Sequence, residues 1–352
     1  MSGYIHYIST RKHAYTLGIF AALHGGAVAS FIRILPYAML PRIRAFRPGP
    51  VVFADLDRIP AAARTLHAAL ADALAADGHA VLNHPRQALG RFALLRRLHE
   101  SGINDFTVHR LSDWREVRRF PVFIRHENVH GRAVTGLLPD LSSLRDALAG
   151  LSDSDPAALA EMMIVEFGNV PGADGRYRKY GAFRVGNQIY AQHCYSSDDW
   201  WVKFNSATFT PEQRREHDDY AAANPHRAQL GRVLEAANIE YGRADYCLVD
   251  GRVQVFEINT NPSVIHGHFP RAVDGTVYIR SHRAALERLL AEAAGGAETP
   301  NPLYSEDNKA VSADAVHDAL MQHIRERWEP VLAAELAARD WGSGEQAAHR
   351  SD

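Results

Sequence analysis

Residues 241–262 read YGRADYCLVDGRVQVFEINTNP. In this stretch, two runs rich in β-branched and aromatic residues flank the turn signal Asp250-Gly251, a pattern typical of a β-hairpin. Alternation along the second run places Glu257 and Asn259 on one face of its strand and Phe256 on the other. The stretch therefore predicts a carboxylate and an amide side by side on one face of a hairpin.

Asp245, on the first strand, joins that face only if the register of the hairpin allows it. A two-residue Asp-Gly turn would pair Asp245 with Phe256 and turn the carboxylate away, so we expect a three-residue loop around Gly251. That loop would place Asp245, Glu257 and Asn259 together. Two carboxylates and an amide oxygen are hard ligands that suit Mg²⁺, with Mn²⁺ as the alternative ion. An edge hairpin with solvated acids is the structural alternative.

These residues resemble the ATP-grasp superfamily, whose last strand pair carries an Asp and then a Glu-x-Asn that hold metal ions on ATP. Asp245, Glu257 and Asn259 stand at the matching positions, and the run EINTNP is close to the family pattern. The resemblance covers roughly residues 51–262 and implies ATP and Mg²⁺ as cofactors. It implies a fold of the α/β and α+β classes: a Rossmann-like N-terminal layer, a two-subdomain ATP-grasp fold and a helical C-terminal tail.

Residues 1–85 alternate strand-like and helical runs with short joints, which favours an α/β layer with a largely parallel sheet. The runs are 3–8, 14–23, 31–35, 51–54, 61–76 and 80–82. We predict an N-terminal domain over 1–85, an ATP-grasp domain over 86–275 with its hinge near 165–170, and a helical extension over 276–352. The chain contains no GxGxxG fingerprint, so no dinucleotide site is predicted.

The resemblance assigns cations to the phosphates of ATP. The run 83–85 and the helical run 91–100 are similar to the entry of the ATP-grasp domain in glutathione synthetase and RimK-like ligases. Arg91 stands where those proteins place a phosphate-directed Lys, although a helical Arg on a solvated face is the alternative. Arg125, at the end of a predicted strand, would reach the α-phosphate, and the segment 126–136 stands at the place of the phosphate lid.

The resemblance also places the base and the ribose. The run AEMMIVEF, residues 160–167, matches the hinge between the two ATP-grasp subdomains. An adenine would lie against Val165, Glu166 and Phe167, with the Glu166 carboxylate available to its amino group. Asp174 falls near the family's ribose-binding acid. A purely structural core strand is the alternative for this run, and both descriptions can hold together.

Basic residues on two further segments would complete the site. Residues 176–190 predict a second hairpin, and the family carries one basic residue on its first strand, for which Arg178 and Lys179 are both candidates. In WWVKFN, Lys203 and Asn205 match a basic residue and an Asn near the transferred phosphoryl group. They share a face if this segment is a strand.

Composition excludes several classes of protein. The chain has 352 residues, 46% hydrophobic and 23% charged, with a net charge of −2, so nothing in the bulk charge indicates nucleic acid or an anionic membrane. Cys194 and Cys247 lie far apart, which supports neither a disulfide framework nor a thiolate metal site. The 19 histidines are scattered without metal-ligand spacing.

The N-terminal apolar run, residues 16–23, raises the question of a targeting or membrane segment. We expect neither a signal peptide nor a membrane span, because apolar patterning resumes at 31–40 and Arg33 interrupts it well short of about 20 apolar residues. A cytoplasmic location is therefore expected. The predicted helix over 313–338 is interpreted as a packing element or the contact of a homodimer.

The activity that the resemblance implies is ATP-dependent ligation of a small-molecule carboxylate and an amine, through an acyl phosphate. Such chemistry depends on positioning and electrostatics more than on a protein nucleophile. Two alternatives are a regulatory or structural ATP-binding protein and a phosphotransferase on the same cleft. The sequence names neither the acid nor the amine.

Overall fold

The computed structural model of the chain describes residues 3–203, 210–265, 276–293 and 297–337. Its strands are β1 (Ile5–Ser9), β2 (Ile32–Pro36), β3 (Ala45–Phe46), β4 (Val51–Phe53), β5 (Val81–Leu82), β6 (Val108–Arg110), β7 (Val122–His126), β8 (Met162–Glu166), β9 (Tyr177–Val185), β10 (Gln188–Ser197), β11 (Tyr241–Val249), β12 (Arg252–Asn259) and β13 (Thr299–Pro300). Its α-helices are α1 (Tyr15–His24), α2 (Ala61–Ala76), α3 (Arg91–Glu100), α4 (Leu141–Ala149), α5 (Pro156–Ala160), α6 (Pro211–Ala223), α7 (Arg227–Ala236), α8 (Val277–Glu292) and α9 (Ala313–Ala337).

The N-terminal layer is a parallel sheet with strand order β2-β1-β4-β5, as the alternating runs predict. Every residue of β1 is buried, which is typical of a parallel strand covered on both faces. Successive residues of β1 enter different cores: Tyr7 packs with Phe20 of α1, and Ile8 packs with Leu74 of α2. The layer therefore has helices on both sides.

The middle of the chain forms two antiparallel sheets. Strands β6-β8-β7 make a three-stranded sheet whose one face packs on Leu144 of α4. Strands β10-β9-β11-β12 make a four-stranded sheet that packs on α6 and α7. A cavity lies between the two sheets. The predicted fold class is confirmed, since an α/β layer is followed by two such subdomains and by C-terminal helices.

The hairpin of β11 and β12 corrects one prediction. Its loop is a two-residue turn, Asp250-Gly251, with φ of 50° and 73°, and Val249 pairs with Arg252 across it. The predicted three-residue loop is wrong, because both turn residues take the left-handed conformation that a two-residue hairpin requires. A β-bulge at Phe256 then shifts the register, as described below.

The C-terminal helices pack on the earlier layers. Helix α8 lies against β9 and β10, and α9 lies against β2 and α1. In α9, Ile324 enters the core of the N-terminal layer, and the Nδ1 atom of His317 accepts a hydrogen bond from the backbone N–H of Ile34 at 3.0 Å. Helix α9 therefore covers the β2 edge of the parallel sheet. The domain boundaries and the homodimer stay predictions.

None of the described helices is both long and apolar enough to span a bilayer.

Candidate functional site

A cavity that opens to solvent lies between the three-stranded sheet and the four-stranded sheet, and its empty space, including the part shared with open solvent, is about 680 Å³. Part of its lining is apolar and largely aromatic: Leu95, Phe106, Phe123, Met163, Val165, Phe167, Trp200, Trp201 and Phe256. Another part is charged: Arg91, Arg125, Lys179, Lys203, Asp245 and Glu257. The cavity thus combines an apolar slot, suited to a flat ring system, with a cluster of buried charges.

The hairpin brings the two predicted carboxylates together. Asp245 pairs with Glu257 across β11 and β12, and Asn259 follows two residues later, opposite Arg243. The bulge at Phe256 produces this pairing, because it inserts one extra residue between the turn and Glu257. Asp245 and Glu257 are 2% and 6% exposed. The two carboxylates therefore converge, although a bulge causes this and the loop does not. Asn259, the third predicted ligand, is not among the described residues that line the cavity.

Glu257 faces three cations. Arg91, at the first position of α3, donates from Nη2 to the Oε2 atom of Glu257, and the Nη2 atom of Arg125 lies 3.9 Å from the same oxygen. Burial alone would raise the pKa of Glu257, but Arg91, Lys203 and Arg125 hold that pKa well below its ordinary value. Glu257 is therefore an anion within a positive cluster.

Asp245 is likewise paired. The Nε and Nη2 atoms of Arg243 lie 2.7 and 3.2 Å from its two oxygens, and the Nζ atom of Lys179 lies 3.2 Å from Oδ2. Burial would raise the pKa of Asp245, whereas Arg243 and Lys179 lower it below the ordinary value. Sequence reasoning missed Arg243, although its position two residues before Asp245 already places both on one strand face.

The charged part of the site carries a surplus of positive charge. Among the described side chains that line the cavity, four are cationic, and Arg243 adds another beside Asp245. The carboxylates of the same described lining are Asp245, Glu257 and Glu166. Arg91, Arg125 and Arg243 are buried, and the two lysines are half-buried. Holding more cations than anions largely out of water is costly unless a further anion is bound. The arrangement therefore suits a polyanionic ligand.

Mg²⁺ fits the donor set at the hairpin. Among the residues that the structure describes, no group of three or more His, Cys, Asp and Glu side chains is placed to hold a metal ion. A divalent ion at Asp245 and Glu257 would therefore need further oxygen ligands, such as the Asn259 amide and phosphate oxygens. It would also have to displace Arg91 from Glu257, and both Lys179 and Arg243 from the Asp245 oxygens that they now contact.

At the predicted hinge, several polar groups already form hydrogen bonds within the three-stranded sheet. Glu166 accepts hydrogen bonds from the Thr107 amide at 3.1 Å and contacts the Nε2 atom of His109 at 3.2 Å. The amides of Glu166 and Phe167 donate to the carbonyls of Thr107 and Pro121. Val165, Glu166 and Phe167 nevertheless line the cavity, and their contact with adenine stays a prediction.

Gly168 follows β8 at a point where a side chain has no room. A Cβ atom at this position would lie 2.1 Å from the Phe106 ring. The chain can therefore turn closely past the aromatic lining only with glycine here.

Arg178 and Lys179 lie on opposite faces of β9. Lys179 lines the cavity and contacts Asp245, whereas Arg178 binds both oxygens of Asp174 at 2.9 Å and also Glu216 at 2.6 Å. Of the two alternatives, the structure brings Lys179 to the site. Asp174 and Arg178 are not among the described residues that line the cavity, and Asn205 lies outside the described residues.

The segment predicted as a phosphate lid turns its carbonyls toward the cations. Arg91 donates to the carbonyls of Glu127 and Val129, and Arg125 donates to the Val129 carbonyl at 2.9 Å. The tip of the segment reaches the N-terminal layer, where His130 pairs with Asp57. Its role over the phosphates stays a prediction.

A second, smaller cavity shares Arg91 with the first, and its empty space, including the part shared with open solvent, is about 370 Å³. It lies among α2, the start of α3, the predicted lid and the end of β12, and both acids and bases line it. Its polar lining consists of Asp57, Arg64, Arg91, Glu127, His130 and Thr260. A molecule bound there would meet the charged part of the first cavity at Arg91.

No protein-family model matches the sequence, and no curated protein matches it. Among solved structures, D-alanine–D-alanine ligase from Bacillus anthracis is similar over 83% of this chain and 97% of its own, at 13% identity and a TM-score of 0.44. A RimK domain ATP-grasp protein from Sphaerobacter thermophilus is similar over 80% and 99%, at 13% identity and a TM-score of 0.42. The ATP-grasp ligase PsnB, in complex with a minimal precursor, is similar over 82% and 99%, at 14% identity and a TM-score of 0.49.

Proposed function

We propose that the chain is an ATP-dependent ligase that forms an amide-type C–N bond through an acyl phosphate. The observation that carries this proposal is the surplus of buried and half-buried cations, among the described lining residues, beside two converging carboxylates at one part of an aromatic slot. A nucleoside triphosphate matches both parts, since its base is flat and apolar and its phosphates are anionic. ATP, the nucleotide implied by the sequence resemblance, is the expected ligand.

Each part of the site has a role in this proposal. The aromatic slot would hold adenine, and Arg91, Arg125, Lys179 and Lys203 would offset the charge of the phosphates. Asp245, Glu257 and Asn259 would hold Mg²⁺, which when bound would neutralise part of the phosphate charge. The residues of the chain supply positioning and electrostatic stabilisation.

The second cavity supports a carboxylate acceptor. A carboxylate oxygen near Arg91 would attack the γ-phosphorus while the bond from that phosphorus to the β–γ bridging oxygen breaks, releasing ADP. The amine nitrogen would then attack the acyl carbon, expelling phosphate and losing a proton to solvent. Because Arg91 lines both cavities, it is the expected link between donor and acceptor. The identities of acid and amine, cytoplasmic location and dimerisation stay predictions.

The test is a screen of amino acids and small carboxylates for ATP-dependent ADP release, with hydroxylamine as the amine. The correct acid should give a hydroxamate together with ADP and phosphate. AMP and pyrophosphate would show adenylation and refute the acyl-phosphate mechanism. Tight ATP binding with no acid stimulating ADP release would favour a regulatory protein, and a stable phosphorylated product without an amine would favour a phosphotransferase.

ATP affinity should fall as pH rises through the titration of Lys203, whose pKa is lowered by burial to about 8. Phosphate favours the charged ammonium, so above this pKa the free protein must take up a proton to bind. The affinity should then drop by up to about tenfold per pH unit. Calorimetric titrations between about pH 7 and pH 9 measure this slope.

Lys203→Met should remove that slope. The titration of Arg125 lies above the range, because burial lowers its pKa only to about 10. Wild-type affinity that stays constant across the range would contradict a role for Lys203 at the phosphates.

A further inference from the structure

Trp201 lies beside two of the cations that the proposed function assigns to phosphate. The Cζ atom of Arg125 lies 5.5 Å from the centroid of the Trp201 ring, over its face, and the Nζ atom of Lys203 lies 5.3 Å from it. Arg125 comes from β7, whereas Lys203 follows β10. One indole therefore contacts cationic groups from both subdomains.

These two cations repel one another and are largely removed from water. Burial lowers the pKa of Lys203; the nearby carboxylates Glu257 and Asp245 raise it, whereas the charges of Lys179 and Arg125 lower it further. Burial together with the charge of Arg91 lowers the pKa of Arg125. An indole face carries partial negative charge and attracts cations without neutralising them. It can hold both groups in place and leave their charge available to an anion.

The indole is itself held by aromatic neighbours. Its ring lies edge-on to Phe123 at a centroid distance of 6.0 Å and edge-on to Trp200 at 5.3 Å. Its backbone amide donates to the Oδ1 atom of Asp199 at 3.0 Å. The position of Trp201 is therefore set by packing and hydrogen bonding independently of the cations.

We propose that Trp201 is a positioning residue for the phosphates, holding Arg125 and Lys203 through its indole face so that both are aimed at the polyphosphate of the nucleotide. This inference rests on the proposed function for the nucleotide. Trp201 would therefore contribute to phosphate binding, whereas the slot as a whole contributes to binding of the base.

The experiment compares ATP with adenosine, which fills the slot but has no phosphate. Dissociation constants are measured by calorimetry, with Mg²⁺ present, for wild type, Trp201→Leu, Trp201→Phe and Trp200→Leu. Trp200 is the matched control, since it packs on Phe123 and Phe167 in the same slot. Thermal melts establish that each variant is folded.

Trp201→Leu should weaken ATP at least about tenfold relative to its effect on adenosine, which corresponds to about 1.4 kcal/mol. The loss of ATP affinity relative to adenosine in Trp201→Phe should lie between that of wild type and that of Trp201→Leu, because a phenyl ring attracts cations less strongly than an indole. Trp200→Leu should weaken ATP and adenosine by the same factor.

Equal losses of ATP and adenosine in Trp201→Leu would show a packing role and overturn the inference. Unchanged binding of both ligands would overturn it too. If Trp201→Leu does not fold, the same comparison in Trp201→Phe decides, with an unchanged ratio of the two constants counting against the inference. Failure of the wild type to bind ATP would instead refute the proposed function, and with it the inference.

Discussion

Glu257→Gln is expected to abolish the stabilisation of the protein by Mg²⁺ and ATP. Wild type should gain about 2.7 kcal/mol in free energy of unfolding when ATP is at about a hundred times its dissociation constant. The variant keeps the shape of the side chain but loses the charge that would hold the metal ion. At the same ligand concentration, its melting temperature should not move.

Without ligand, the same substitution should lower the free energy of unfolding by about 3–5 kcal/mol, because it leaves Arg91 and Arg125 buried without their carboxylate. Denaturant titration measures this loss. The matched control is Glu216→Gln, which removes a partly exposed carboxylate from Arg178 outside the cavity. It should cost about 0–1 kcal/mol and leave the ATP shift intact. An ATP shift of wild-type size in Glu257→Gln would refute the metal assignment.

Arg91→Met should reduce ligase turnover by at least about a hundredfold, equivalent to about 2.7 kcal/mol of transition-state stabilisation. The reason is its place on both cavities, where it would meet the transferred phosphoryl group from either side. Arg91→Lys should recover part of the activity, since it keeps the charge and loses the planar fork. Initial rates of ADP release, with the acid found by the screen, provide the measurement.

The free energy of unfolding should show whether the loss of turnover in Arg91→Met comes from misfolding. After Arg91→Met, Glu257 still faces Arg125 and Lys203, so the loss in unfolding free energy should be smaller than for Glu257→Gln. Arg96→Met is the matched control on the same helix, because Arg96 is exposed and pairs only with Glu100, at 3.6 Å, among the salt bridges described. A turnover loss of equal size in Arg91→Met and Arg96→Met would remove Arg91 from the reaction.

Much of the local structure follows from the sequence because it depends on short-range periodicity. Alternation placed Glu257 and Asn259 on one face of a strand, and strand-helix order predicted the parallel sheet of the N-terminal layer. These inferences need only the geometry of one element or one hairpin.

The contacts between elements were decided by the tertiary structure. The sequence predicts that Asp245 and Glu257 meet, but it does not predict the cause. The bulge inserts Phe256 as one extra residue in β12, and the alternation of polar and apolar residues does not reveal that insertion. The choice between Arg178 and Lys179 depended on which face of β9 met the cavity. A strand has two faces, and periodicity alone does not say which one is covered.

The ion pairs of the site likewise depend on how separate elements pack. Arg91 and Glu257 are 166 residues apart, and their pairing exists only because α3 packs on β12. Arg243 shares a strand with Asp245, but only the tertiary structure shows that both side chains are buried and form an ion pair. The sequence determined which side chains have the charge and the oxygen donors that phosphate and metal ions require, since that is a property of side-chain chemistry and local spacing. The tertiary structure alone decided which of them share one low-dielectric site, since that depends on how two sheets and a helix pack across the cavity.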